Sequence, residues 1–217
     1  RNTSGELGDG TTDNRNTPVS ALVSEVRQIS AGTAFSCALL DNSSVRCWGA
    51  NASGQLGDGS GSQQTTPVLV SGLSNVRQVT AGGDHACALL DNGTVQCWGN
   101  NDASQLGQDS GTLSNSSVPL PVPNLSAVAQ VVAGEKLSCA LLDNGTVQCW
   151  GKNNVGQLGN GSTSDSSQPQ TVLGLSDVTS LQSATGNSVN GNVCALLRSG
   201  AAYCWGDNAN GKLGNGA

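Results

Sequence analysis

The sequence predicts an all-β fold made of four blade-like repeats, each of about 50–55 residues and four antiparallel strands. Three observations carry this. The phrase Cys-Ala-Leu-Leu recurs at Cys37, Cys87, Cys139 and Cys194, and 87−37, 139−87 and 194−139 give periods of 50, 52 and 55 residues. Each phrase is followed ten residues later by Cys-Trp-Gly, at Cys47, Cys97, Cys149 and Cys204. No segment keeps a helical period over a useful length, whereas short apolar runs alternate with turn signals throughout.

The elements follow in order from the second repeat. Its expected strands are 66–70, 76–80, 86–90 and 95–98, separated by Ser71-Gly72, Gly82-Gly83 and Asp91-Asn92-Gly93. Four strands per unit of this length is the signature of propeller blades. A further phrase, Gly-x-Leu-Gly, follows each Trp at 54–57, 156–159 and 211–214, with Ser104 replacing the first Gly in the second repeat. The chain divides into a partial repeat at 1–10 and repeats at 11–60, 61–110, 111–161 and 162–217. Residues 1–10 align with 207–216, so the two ends would compete for one loop position in a closed four-blade ring. The expectation is part of a larger ring, or an open or self-docking array.

The cysteines read as cross-strand staples. In Leu90-Asp91-Asn92-Gly93-Thr94, Asp-Asn suits the centre of a type I turn and Gly the left-handed position of a G1 bulge. A register centred on Asn92 sets Leu90 against Thr94 and Cys87 against Cys97. The same arithmetic pairs Cys37 with Cys47, Cys139 with Cys149 and Cys194 with Cys204. Directly opposed positions bring Cα atoms to ~4.5 Å, within disulfide range. The competing metal reading fails on spacing, because zinc knuckles use Cys-x2–4-Cys and here nine residues intervene every time. Four local disulfides imply an oxidising, extracellular or cell-surface compartment. Ser43 stands where Gly93 stands in the next repeat, so the first hairpin turn is expected to be looser.

Composition narrows the function classes. The 217 residues are 36% hydrophobic, 3% aromatic and 11% charged, which makes a thin core that benefits from staples. The net charge of −6 argues against nucleic acid, whose phosphates demand clustered Lys and Arg. No apolar run approaches the ~20 residues of a membrane span. The absence of an initiator Met and of a signal peptide reads as a mature or excised segment.

Chemistry is sparse. The single His85 reads as a loop-end residue, and no nucleophile elbow, zinc-protease motif or phosphate loop is present. Asp41, Asp91 and Asp143 occupy turn positions. Gly8-Asp9-Gly10 and Gly57-Asp58-Gly59 suggest calcium, but Gln108, Asn160 and Asn215 at the matching places lack the charge. Trp48, Trp98, Trp150 and Trp205 read as inter-blade core. No catalytic residue, metal ligand or cofactor is assigned. Asn-x-Ser/Thr sequons at Asn2, Asn42, Asn51, Asn92, Asn115, Asn124, Asn144 and Asn160 are candidate glycan acceptors. The insertions 110–116 and 185–191 are candidate contact loops.

The run Cys-Ala-Leu-Leu-Asp-Asn-Gly-Thr-Val-Gln-Cys-Trp-Gly, followed by Asn-x-x-Gly-Gln-Leu-Gly-Asp-Gly, resembles the RCC1-type repeat in its Cys-bearing form from secreted and surface bacterial proteins. The resemblance covers all four repeats and implies propeller blades, in rings that typically close with seven. It also implies functions ranging from exchange on a nuclear GTPase to inhibition of a secreted hydrolase. The expectation is a non-enzymatic, extracellular structural or adhesive repeat protein that joins a surface or fibrous assembly. Its partners would be further repeats, other copies of itself, a surface protein or a glycan. A secreted binder or inhibitor of one protein is the alternative, and a nucleotide exchange factor the remote one.

Overall fold

The structure is a computed structural model, and it describes residues 1–185 and 190–216. Its strands form four antiparallel sheets. The first contains β1 (Val26–Ala31), β2 (Phe35–Leu40), β3 (Val45–Gly49) and β4 (Gln64–Leu69). The second contains β5 (Val76–Ala81), β6 (His85–Leu90), β7 (Val95–Asn100) and β8 (Asn115–Pro121). The third contains β9 (Val128–Ala133), β10 (Leu137–Leu142), β11 (Val147–Gly151) and β12 (Ser166–Thr171). The fourth contains β13 (Val178–Ser183), β14 (Asn192–Leu197) and β15 (Ala202–Gly206). A 3-10 turn at Ala209–Gly211 follows. The expected four strands per blade hold in three sheets, and the fourth sheet has three among the described residues.

The sheets are phased differently from the grouping of strands read from sequence. The strand at 64–69, grouped there with 76–80, instead hydrogen-bonds to β3, with Cys47 opposite Val68. Beyond Leu69 the chain turns at Ser71-Gly72 and crosses to the next sheet, where β5 becomes the first strand. Each blade thus closes on its own outer strand, and the sequence period straddles two blades.

The central hairpins form as turn chemistry dictates. Leu90 N donates to Thr94 O, Gly93 N donates to Leu90 O, and Gly93 takes φ 77°. Ser43 takes φ 63° and makes the same pair of turn bonds, Leu40 N to Ser44 O and Ser43 N to Leu40 O. The first turn is therefore not loosened. The strain stays in one residue because flanking strands with a buried face fix the register. The disulfides are Cys37–Cys47, Cys87–Cys97, Cys139–Cys149 and Cys194–Cys204, each with Cα atoms 4.1 Å apart.

The core lies between successive sheets. Phe35, Cys37, Leu39, Val45 and Cys47 of the first sheet pack on Val76, Val79, Ala86, Ala88 and Trp98 of the second. The same pattern joins the second sheet to the third and the third to the fourth. Every blade therefore has two unlike faces. One carries the disulfide and its Leu, and the other carries the Trp and the Val pair of the innermost strand. No core cluster of the described residues joins the first sheet to the fourth.

Candidate functional site

Each blade is held to the next by a loop that leaves its third strand. The Asn three residues beyond the Trp organises that loop from inside. Asn51 Oδ1 accepts from Leu56 N, and its Nδ2 donates to Ser60 O and Ser62 O. Asn2, Asn101 and Asn153 repeat the arrangement, with Leu7 N, Leu106 N and Leu158 N as donors to their Oδ1 atoms. These side-chain-to-backbone bonds replace a regular element, because an unpaired carboxamide would be costly to bury.

So shaped, the loop presents one carbonyl to the following blade. Trp48 Nε1 donates to Glu6 O at 2.8 Å, and Trp98, Trp150 and Trp205 donate to Gln55 O, Gln105 O and Gln157 O at 2.9 Å. The last Gly of the Gly-x-Leu-Gly phrase makes room for the indole. A Cβ on Gly57 would stand 2.8 Å from Trp98 Nε1, and one on Gly159 would stand 3.0 Å from Trp205 Nε1. The tryptophans are thus inter-blade anchors, as the sequence suggested, with Trp98 and Trp150 fully buried.

His85 differs from its loop-end expectation. It opens β6, is completely buried, and occupies the register place of Phe35 and Leu137, each opposite a Gly of the third strand. Its Nε2 lies 2.9 Å from Ser138 Oγ, which in turn donates to Gln105 O at 2.9 Å. Since that serine proton is committed to Gln105, Nε2 carries the proton given to Ser138, and Nδ1 is left buried without a partner. Burial pushes the imidazole pKa down to about 4, partly offset by the Asp102 charge. No second titratable side chain sits at hydrogen-bond distance among the described residues, so the ring is a core group.

The remaining sequence candidates fall into place. Asp58 Oδ1 accepts from Ser60 N and Ser60 Oγ, and Asp9 Oδ1 accepts from Thr11 N and Thr11 Oγ1 while Oδ2 takes Arg15 Nε. These carboxylates organise their loops, and the Thr11 and Arg15 donors hold Asp9 down at about 2. No group of three or more His, Cys, Asp or Glu gathers to hold a metal among the described residues. Two sequons need correction as acceptors. Asn2 and Asn51 are 0% and 1% exposed with Nδ2 bonded to backbone carbonyls, so no glycan can be attached in the folded state. Asn42, Asn92, Asn115, Asn124 and Asn144 are exposed and Asn160 is half-buried. The 110–116 loop ends in β8, and within 185–191 residues 186–189 lie outside the described residues.

What the sequence reading missed is the pair of uncovered end faces. Ile29 and Val26 of β1 are 74% and 37% exposed, whereas their counterparts Val79 and Val76 are buried under the first sheet. At the other end Leu196 of β14 is 46% exposed, whereas its counterpart Leu39 is buried under the second sheet. Tyr203, half-exposed, stands opposite Ala195 on the other face of that sheet, beside Val172 and Leu175. The two faces are the two halves of the contact repeated three times inside the chain.

The family model for the RCC1-like domain matches residues 1–217. The chain is similar to the human E3 ubiquitin-protein ligase HERC2, 34% identical over 89 residues that cover 41% of this chain and 2% of that protein. It is 35% identical over 105 residues to the Ultraviolet-B receptor UVR8 of Arabidopsis thaliana, covering 48% of this chain and 23% of that one. The crystal structure of human WBSCR16 superposes with a TM-score of 0.82 at 25% identity, over 100% of this chain and 58% of that chain. Prp20p from Saccharomyces cerevisiae, whose binding to Gsp1p and histones has been described, shares the fold with a TM-score of 0.74 at 22% identity, over 88% of this chain and 48% of that one. The chain therefore spans a small part of the two curated relatives and about half of the two solved structures.

Proposed function

The chain belongs to the RCC1-like domain family, and from that premise we propose that it is a non-enzymatic, extracellular run of stapled propeller blades whose work is assembly. The observation that carries the proposal is the blade-to-blade contact repeated three times inside the chain, whose two halves would be covered by further repeats of the same chain or by another copy. Val26 and Ile29 at one end and Leu196 at the other are complementary by the chain's own internal example. Val26, Ile29 and Leu196 stand at positions that are buried in each internal blade contact, which supports an interaction there. Four disulfides favour an oxidising compartment. Among the described residues, buried His85 and loop-bound Asp9 and Asp58 do not converge into a catalytic set. Glycan attachment is proposed only for Asn42, Asn92, Asn115, Asn124, Asn144 and Asn160, and an intact mass equal to the bare polypeptide removes it.

Negative-stain electron microscopy without reductant, together with light scattering on the eluted protein, tests the assembly. Filaments or multimers that Ile29→Asp and Leu196→Asp each disperse are the expected result. A monomer at every concentration refutes assembly and moves the search to a single soluble protein partner.

A further inference from the structure

We infer that the rim of the third seam, between the hairpin turn of the third sheet and the start of the fourth, binds an arginine side chain of a protein partner. This goes beyond the assembly reading and does not depend on it. The chain itself shows what fits there. At the first seam Arg27 Nη2 donates to Val76 O, and at the second Arg77 Nη2 donates to Val128 O. Each arginine follows the first Val of an innermost strand, and Ala129 holds that place in β9.

The frame around this place is the same at all three seams. Each hairpin turn accepts from the next sheet's first Val. Val76 N donates to Ser43 O, Val128 N to Gly93 O and Val178 N to Gly145 O, at 3.1–3.3 Å. The glutamine that follows then bonds across the seam, Gln28 to Val79 O, Gln78 to Val131 O and Gln130 to Leu181 O. Val178 O therefore stands where Val76 O and Val128 O each meet a guanidinium. Among the described residues it receives no side-chain donor, and the neighbouring Thr179 Oγ1 donates to Leu196 O instead.

The short side chain at 129 leaves room. A cavity of about 350 Å³ lies there, and its lining includes Ala129, Asp143, Asn144, Asp177, Val178 and Arg198. Asp177 stands where the earlier seams have Asn75 and Ala127, so a carboxylate is gained at the seam that loses its arginine. Neither Asp143 nor Asp177 enters an ion pair among the described residues. Arg198 borders the cavity without filling it, its backbone N donating to Asp177 O. Two carboxylates against one guanidinium leave the lining negative. A second guanidinium, with its planar fork of donors, can bridge Val178 O and a carboxylate, which the point charge of an ammonium does less well.

The probe is Nα-acetyl-arginine amide, titrated into the isotope-labelled full chain without reductant and followed by the backbone amide shifts. Residues 143–145 and 177–179 should shift, and Nα-acetyl-lysine amide should move them far less. Asp143→Asn combined with Asp177→Asn should weaken binding roughly tenfold, as two exposed ion pairs are lost. Ala129→Arg supplies the guanidinium from within, so it should abolish the shifts and raise the Tm. Shifts that persist undiminished in Ala129→Arg place the probe elsewhere and refute the site. Equal shifts from the lysine probe reduce it to an acidic patch and refute the guanidinium preference. Free L-arginine brings its own carboxylate to Asp143 and Asp177, and tighter binding of it overturns a protein as the source. Shifts that appear only in Arg198→Ala make Arg198 the occupant, which rules out an external one. No shift in either the wild-type chain or Arg198→Ala ends the proposal.

Discussion

Gly57→Ala probes how one blade grips the next. Gly57 sits at φ 68°, and a Cβ there would stand 2.8 Å from Trp98 Nε1 and 2.9 Å from Val70 Cγ1. The left-handed backbone costs a non-glycine residue about 1–2 kcal/mol. The displaced indole is fully buried and loses Gln55 O as its acceptor, which adds about 1–3 kcal/mol for an unsatisfied donor. The expected loss is about 3–4 kcal/mol, or roughly 10 °C in Tm for a chain of this size. Gly214→Ala is the matched control. It occupies the same place in its phrase at φ 65° and has no atom within 4 Å of its Cβ position, so only the backbone cost of about 1–2 kcal/mol applies. Scanning calorimetry gives the stability difference, and tryptophan emission reports whether the Trp98 indole moves. Equal losses in the two variants, or an unshifted emission in Gly57→Ala, would refute the anchoring role.

Three further outcomes follow from the same geometry. Ser43→Gly removes a left-handed serine at φ 63° and should gain about 1 kcal/mol in urea unfolding, with an unchanged m-value. His85, at about 4 when folded and 6.5 when exposed, binds its proton more tightly in the unfolded chain. Stability must therefore fall as pH drops from about 6.5 to about 4, by about 3 kcal/mol in all, and His85→Leu should flatten that slope in urea titrations across the range. Cys194 and Cys204 are half-buried while the other six cysteines are wholly buried, so mild dithiothreitol followed by alkylation and peptide mass analysis should label this pair first. Prior labelling of any other pair contradicts the described order of burial.

Legibility in the sequence follows the range of the forces involved. The Cys87–Cys97 register was readable because a five-residue turn centred on Asn92 fixes it locally, and the same arithmetic served all four hairpins. The sheet to which residues 64–69 belong was not readable, because a long loop and not a tight turn decides which edge they reach. Asn51 was legible as a sequon and illegible as a loop core, since its burial depends on carbonyls nine and eleven residues away. A signal existed all the same, in the Asn recurring three residues after every Trp. His85 could be matched to Phe35 and Leu137 by position, but Ser138, its partner, comes from the next blade.

The internal seams differ from one another in their polar grip. Between the first two sheets Gln28 bonds both N and O of Val79, Arg27 donates to Val76 O, and Ser30 Oγ accepts from Ala81 N. Between the second and third, Gln78 bonds Val131 in the same way, Arg77 donates to Val128 O, and Thr80 Oγ1 accepts from Ala133 N. Between the third and fourth, Gln130 on Leu181 persists, while Ala129 and Val132 stand where the Arg and the hydroxyl were. In the fourth sheet these places hold Thr179, Ser180 and Gln182, and the long glutamine at the centre is gone. At about 1 kcal/mol for each net hydrogen bond, this grip is equal at the first two seams and weaker by about 2 kcal/mol at the third. Of the three seams among the described residues, the third therefore opens first, and urea should release the fourth sheet while the first three stay packed, which hydrogen exchange at Val178–Ser183 against Val76–Ala81 would show.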